Sequence, residues 1–180
     1  VYHKTADIRE NYKQKAIEYF DNIDIDFGKY EILGIEKKCD FEINGYKFTG
    51  YIDLLLREKD TGKIVLIDHK SSKYPYGKKG KLLKSEKDKF QQYKRQLYLY
   101  SIQVFNEYGV FPDRIGWNYF GDRKWDFLDF NKEDYEEAKK WAIDTLEEVR
   151  NTSEFPPTVD FYYCHNLCKF RNSYCEYKNY

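Results

Sequence analysis

Residues 50–71 read GYIDLLLREKDTGKIVLIDHKS, and the rest of the chain is organised around them. Two apolar runs, one at 52–56 interrupted by Asp53 and one at 64–67 uninterrupted, flank Asp60-Thr61-Gly62-Lys63, a tight-turn signal. Four consecutive apolar residues suit a strand buried on both faces. If the two runs pair antiparallel through that turn, Asp53 and Asp68 come opposite each other, because the turn centre lies midway between them. Strand residues two apart share a face, so Asp68 and Lys70 project together.

Working outward, Asn44-Gly45 is a hairpin signal between an extended run at 30–39 and the strand at 46–57. Three strands then form a meander ending at Asp68-His69-Lys70. Residues 74–86 are rich in Lys and Gly, with Pro75, Gly77 and Gly80, and read as a mobile loop. Residues 87–107 place Phe90, Tyr93, Leu97, Tyr100 and Val104 along one helical stripe. Segments 115–120 and 125–130 read as strands around a turn at Gly121-Asp122. Asn131 caps a helix over 132–150, with Glu133, Asp134 and Glu136 in the turn that the helix dipole reserves for acids. At the other end, residues 5–21 space Ile8, Tyr12, Ala16, Tyr19 and Phe20 at helical intervals. The order α-β-β-β-α-β-β-α predicts an α/β fold with a central mixed β-sheet flanked by helices.

The 180 residues fit a single domain over 1–180, with a cysteine-containing C-terminal tail at 156–180. No apolar run approaches the roughly 18 residues of a membrane helix, and no basic-then-apolar signal segment opens the chain. A cytoplasmic protein without a membrane partner is the expectation. The chain lacks Met and begins at Val1 inside a helical pattern, which suggests a natural chain extending further upstream. Its 19 Tyr and 13 Phe, among many Lys, Asn, Ile and Asp, match the bias of an AT-rich genome and carry little functional weight. Net charge is zero, but between Lys70 and Arg95 nine Lys and one Arg face only Glu86 and Asp88, a local balance of +8. Charge alone favours the plain reading of a solvated loop; a polyanion would nevertheless respond to such a patch.

Two carboxylates on adjacent strands raise each other's pKa unless a cation sits between them. A hard divalent ion with oxygen ligands answers that need, and phosphodiester hydrolysis uses one to generate a nucleophilic water and to offset charge on phosphate. Asp53 and Asp68 are therefore the candidate metal ligands, joined by the backbone carbonyl of His69, while its imidazole should point to the opposite face. Lys70 would orient the water or stabilise the transition state. The plain alternative is a pair of strand-end acids with Lys70 as a salt-bridge partner.

Gly50-Tyr51-Ile52-Asp53, Asp68-His69-Lys70 and Gln96-Leu97-Tyr98-Leu99-Tyr100 together resemble the ordered motifs GxxD, (D/E)xK and QxxxY of RecB-type PD-(D/E)xK nucleases. The resemblance covers about residues 30–120. It implies a restriction-endonuclease-like core and a Mg²⁺- or Mn²⁺-dependent deoxyribonuclease. It also implies catalytic roles for Asp53, Asp68 and Lys70, with Gln96 and Tyr100, an i,i+4 pair on one helix face, positioning the DNA. Ser71, Lys73, Lys78 and Lys79 would touch the phosphate backbone. Relatives carry a further acid or histidine ahead of the strands; Glu36 ranks before Glu18 and the terminal His3 for that place.

Cys164, Cys168 and Cys175 cluster near the end and Cys39 stands far upstream. The set resembles the iron–sulfur staple of AddB-type nucleases, which implies a [4Fe-4S] cluster, although the Cx3Cx6C spacing and the strand position of Cys39 depart from that pattern. Zinc with His165 and plain reduced thiols are the other readings. The expected function is an exonuclease in recombination, repair or phage DNA metabolism, with a recombination or replication protein as a partner. A catalytically silent DNA-binding module and a structure-specific endonuclease are the alternatives.

Overall fold

A computed structural model of the protein describes residues 5–23, 25–170 and 175–177, the side chains of 5–9 excepted. The chain divides into two compact units, Val1–Ile143 and Asp144–Tyr180. In chain order the elements are α1 (Thr5–Asp21), β1 (Tyr30–Ile43), β2 (Tyr46–Glu58), β3 (Ile64–Lys70), α2 (Lys87–Tyr108), β4 (Arg114–Tyr119), β5 (Lys124–Asp129), α3 (Lys132–Asn151) and α4 (Phe161–Asn166). Among the described residues no helix is long and apolar enough to cross a membrane.

The first unit is built on one five-stranded sheet in the order β1-β2-β3-β4-β5. Every pairing is antiparallel except β3 with β4, which α2 joins as a parallel crossover. This is the mixed sheet with helices that the element order predicts. Local turn chemistry sets much of it. Asn44 and Gly45 both take left-handed φ, of 51° and 83°, as a two-residue hairpin turn demands. Gly62 at φ 71° closes the β2–β3 turn, where its N–H donates to Glu58 O at 2.8 Å. Asn131 caps α3 by accepting the Asp134 N–H at 3.0 Å.

One side of the sheet carries the larger core. Leu55, Leu66, Ile115 and Trp117 meet Leu97, Tyr98 and Val104 of α2 there, with Tyr135 and Ala138 of α3. The predicted stripe of α2 lies against this core, with Leu97 and Val104 fully buried and Phe90, Tyr93 and Tyr100 half-buried. Tyr98 is buried as well, and its hydroxyl accepts the Asn131 N–H at 3.1 Å. Burial pushes that phenol up to about 12. On the opposite side Leu54, Leu56, Val65 and Ile67 form a smaller cluster.

Four features differ from the sequence expectations. β1 runs on to Ile43 rather than ending near 39, since pairing with β2 satisfies its backbone up to the turn. Residues 74–86 are not a loose loop: Gly77 N–H donates to Lys81 O and Leu83 N–H to Pro75 O, each at 3.0 Å, around a Tyr76–Leu82 bridge. α1 forms, but Tyr12 and Phe20 of its predicted stripe are 67% and 71% exposed, while Tyr19 is partly buried. The tail holds the short helix α4, capped where Asp160 Oδ1 accepts the Tyr163 N–H at 2.6 Å.

Candidate active site

The ladder between β2 and β3 ends at the pair Leu54–Ile67, and Asp53 and Asp68 stand one residue beyond it on either strand. Strand alternation would put Ile52 and Leu54 on one face, yet Ile52 joins the larger core and Leu54 the smaller cluster. The alternation slips at Asp53. Opposite it, between the pairs Ile35–Leu54 and Lys37–Ile52, Glu36 holds a left-handed φ of 47°. The strand register is unbroken across that point, and the register shift of this ladder lies a few residues away, between Ile32 and Gly34.

Asp68 is 5% exposed, and its Oδ2 lies 2.7 Å from Lys70 Nζ without a well-directed hydrogen bond from any described group. Burial raises the Asp68 carboxyl above the ordinary range; Lys70 opposes that shift and the neighbouring Asp53 charge reinforces it. Asp53 Oδ2 accepts the backbone N–H of His69 at 2.7 Å. A buried carboxylate oxygen lacking a directed donor, next to a second carboxylate, fits an oxygen-seeking divalent cation.

From Lys70 the contacts run into α2. Its Nζ donates to Gln96 Oε1 at 3.2 Å and lies 3.8 Å from the centre of the Tyr93 ring. Gln96 Nε2 donates to the Tyr100 hydroxyl at 3.2 Å. The Tyr100 ring rests on Gly50, where a Cβ would come within 2.5 Å of it. Glycine at 50 therefore leaves room for the tyrosine at 100. The residues of all three sequence motifs form one continuous set of contacts.

The other predicted residues are placed differently. The His69 imidazole lies on the far face, with Nδ1 3.0 Å from Asn118 Nδ2, which also donates to the Tyr19 hydroxyl at 2.6 Å. Ser71, Lys73, Lys78 and Lys79 are exposed, the last two on the compact turn at 75–83. Glu18 is exposed on α1, as is Glu36 on β1, and His3 lies outside the described residues. Among the described residues no three His, Cys, Asp or Glu side chains gather into a metal-holding group, so Glu36 does not complete one with Asp53 and Asp68.

The same holds for the thiols. Cys39 is 0% exposed within the larger core, where burial pushes its thiol up to about 11. A neutral buried thiol packs as a small apolar side chain, so its reading as a cluster ligand gains no support here. Cys164, Cys168 and Cys175 are half-buried free thiols of the second unit. Among the described residues they do not gather into a metal-holding group, and an iron–sulfur cluster is unsupported.

The sequence reading missed Tyr93 and Asn118. The stripe of α2 counts Tyr93 as core, and its position three residues before Gln96 is the local signal for a contact with the same partner. Asn118 carried no local signal, because its partners come from α1 and β3.

Compared with family models, residues 5–180 match that of the PD-(D/E)XK nuclease superfamily, and the chain belongs to it. Comparison with curated proteins finds no match. Nucleases of this superfamily are generally metal-dependent, typically with Mg²⁺ or Mn²⁺.

Proposed function

We propose that the protein is a RecB-type exonuclease that hydrolyses DNA phosphodiester bonds in recombination, repair or phage DNA metabolism. The observation that carries this reading is the unbroken contact set Asp68–Lys70–Gln96–Tyr100–Gly50, which unites GxxD, DxK and QxxxY in one place. Asp53, Asp68 and the His69 carbonyl would hold Mg²⁺ or Mn²⁺, whose chemistry is to lower the pKa of a bound water and offset charge on the phosphate. Lys70 is 13% exposed, so its ammonium acts on that charge in a poorly solvated setting, where electrostatic stabilisation is strongest. Gln96 holds Lys70 from the α2 side, and Tyr100 holds Gln96. The exposed Lys73, Lys78 and Lys79 belong to the +8 stretch and supply sequence-independent attraction for the backbone of the strand.

The test is digestion of linear and circular DNA with Mg²⁺ or Mn²⁺, comparing wild type with Asp68→Ala and Lys70→Ala. Linear DNA should be degraded and circles spared, and each variant should lose at least about a hundredfold in rate. Cleavage of circles would assign a structure-specific endonuclease instead. Tight DNA binding without cleavage by either metal would make the protein a silent binding module.

A further inference from the structure

Among the described residues three groups enclose the Lys70 ammonium, and one of them stands outside the three sequence motifs. Asp68 Oδ2 lies 2.7 Å from Nζ and Gln96 Oε1 accepts from it at 3.2 Å. The third is Tyr93, whose ring centre is 3.8 Å from Nζ. Tyr93 sits one turn before Gln96 on α2, so the helix presents both to the same lysine. An aromatic face attracts a cation through its quadrupole, more strongly once the cation is withdrawn from water. With only 13% of its side chain exposed, Lys70 meets that condition. The Tyr93 hydroxyl contributes less, because its contact to Ser72 Oγ is 3.5 Å long.

We propose that Tyr93 is a positioning residue: its ring face seats the Lys70 ammonium for work on the reacting phosphate. The inference rests on the role given to Lys70 above. Its physical reason is competition for Asp68. A carboxylate that must serve a metal cannot keep its full hold on Lys70, and a lysine on four rotatable bonds then needs another anchor. Gln96 supplies one hydrogen bond and the Tyr93 face supplies an attraction that takes nothing from the carboxylates.

The experiment compares Tyr93→Phe, Tyr93→Leu and the packing control Phe90→Leu, which lies one turn away against Trp117. Steady-state cleavage is measured beside acylation of the Lys70 amine in metal-free protein, followed by mass spectrometry against the other lysines. Tyr93→Phe keeps the ring face and should hold kcat within about threefold, whereas Tyr93→Leu should lose about 10- to 100-fold at unchanged KM. Acylation of Lys70 should rise several-fold in Tyr93→Leu alone, as the amine loses its cover. Equal damage from Tyr93→Phe would overturn the proposal by giving the role to the hydroxyl. So would Phe90→Leu matching Tyr93→Leu, or an unchanged acylation rate. A wild type that cuts no DNA would sink the nuclease reading instead, and the acylation rates would still judge the contact.

Discussion

Asp68 and His69 are neighbours in the chain on opposite faces of one strand, and the two faces are built differently. On the Asp68 side a 22-residue helix lies over the sheet, and Leu66, Ile115 and Trp117 beneath it are fully buried. On the His69 side the cover is partial: Phe27, Tyr30, Trp125 and Phe127 pack on Leu54, Leu56, Val65 and Ile67, while Ile32 and Ile35 stay 52% and 64% exposed. The difference bears on the proposed active site. Strands supply Asp53, Asp68 and Lys70 from one layer, and the helix supplies Tyr93, Gln96 and Tyr100 from another. A side chain gripped from two layers loses little further freedom when it acts. Among the described residues, the His69 N–H on Asp53 is a hydrogen bond that joins the strand of the far-face histidine to the candidate site.

The largest expected contrast tests the two faces as packing. Leu66→Ala should cost about 2–5 kcal/mol in urea unfolding, as a fully buried leucine does, and Ile35→Ala less than about 1 kcal/mol. Equal costs would mean that the far face is as well covered as the near one. A smaller effect tests the grip between layers. Gly50→Ala puts a methyl 2.5 Å from the Tyr100 ring, and overpacking of that kind should cost about 1–3 kcal/mol. Adding Tyr100→Leu should recover part of that loss, and strict additivity in the cycle would deny the contact. The smallest effect belongs to Asn118→Ala, which removes the bonds to Tyr19 and His69. Stability should fall by about 1 kcal/mol, with kcat held within about threefold because the proposed reacting face is untouched. A kcat loss as large as that of Lys70→Ala would place the far face in the mechanism.

Much of the site was legible because its register is local. A tight turn at 60–63 determines which residues of two hairpin strands come opposite, so Asp53 and Asp68 could be matched by counting from it. Helix periodicity likewise put Gln96 and Tyr100 on one face, where they are hydrogen-bonded. Counting failed where distant segments decide. The slip at Asp53 lies opposite the left-handed backbone of Glu36, seventeen residues earlier on another strand. Periodicity alone makes Tyr93 one more core residue, and only the fold sets Lys70 against its ring. The burial of Cys39 in the core depends on the helices that cover its side of the sheet, which no local pattern around it encodes.

The sequence by itself determined the order of elements, the mixed sheet, the pairing of the two acids and the superfamily motifs. Each depends on turn chemistry and periodicity acting over a few residues. Only the tertiary structure decided what encloses Lys70, why position 50 is a glycine and which thiol is buried. Those are contacts between segments far apart in the chain, and no local period encodes which side chains meet when a helix is laid across a twisted sheet.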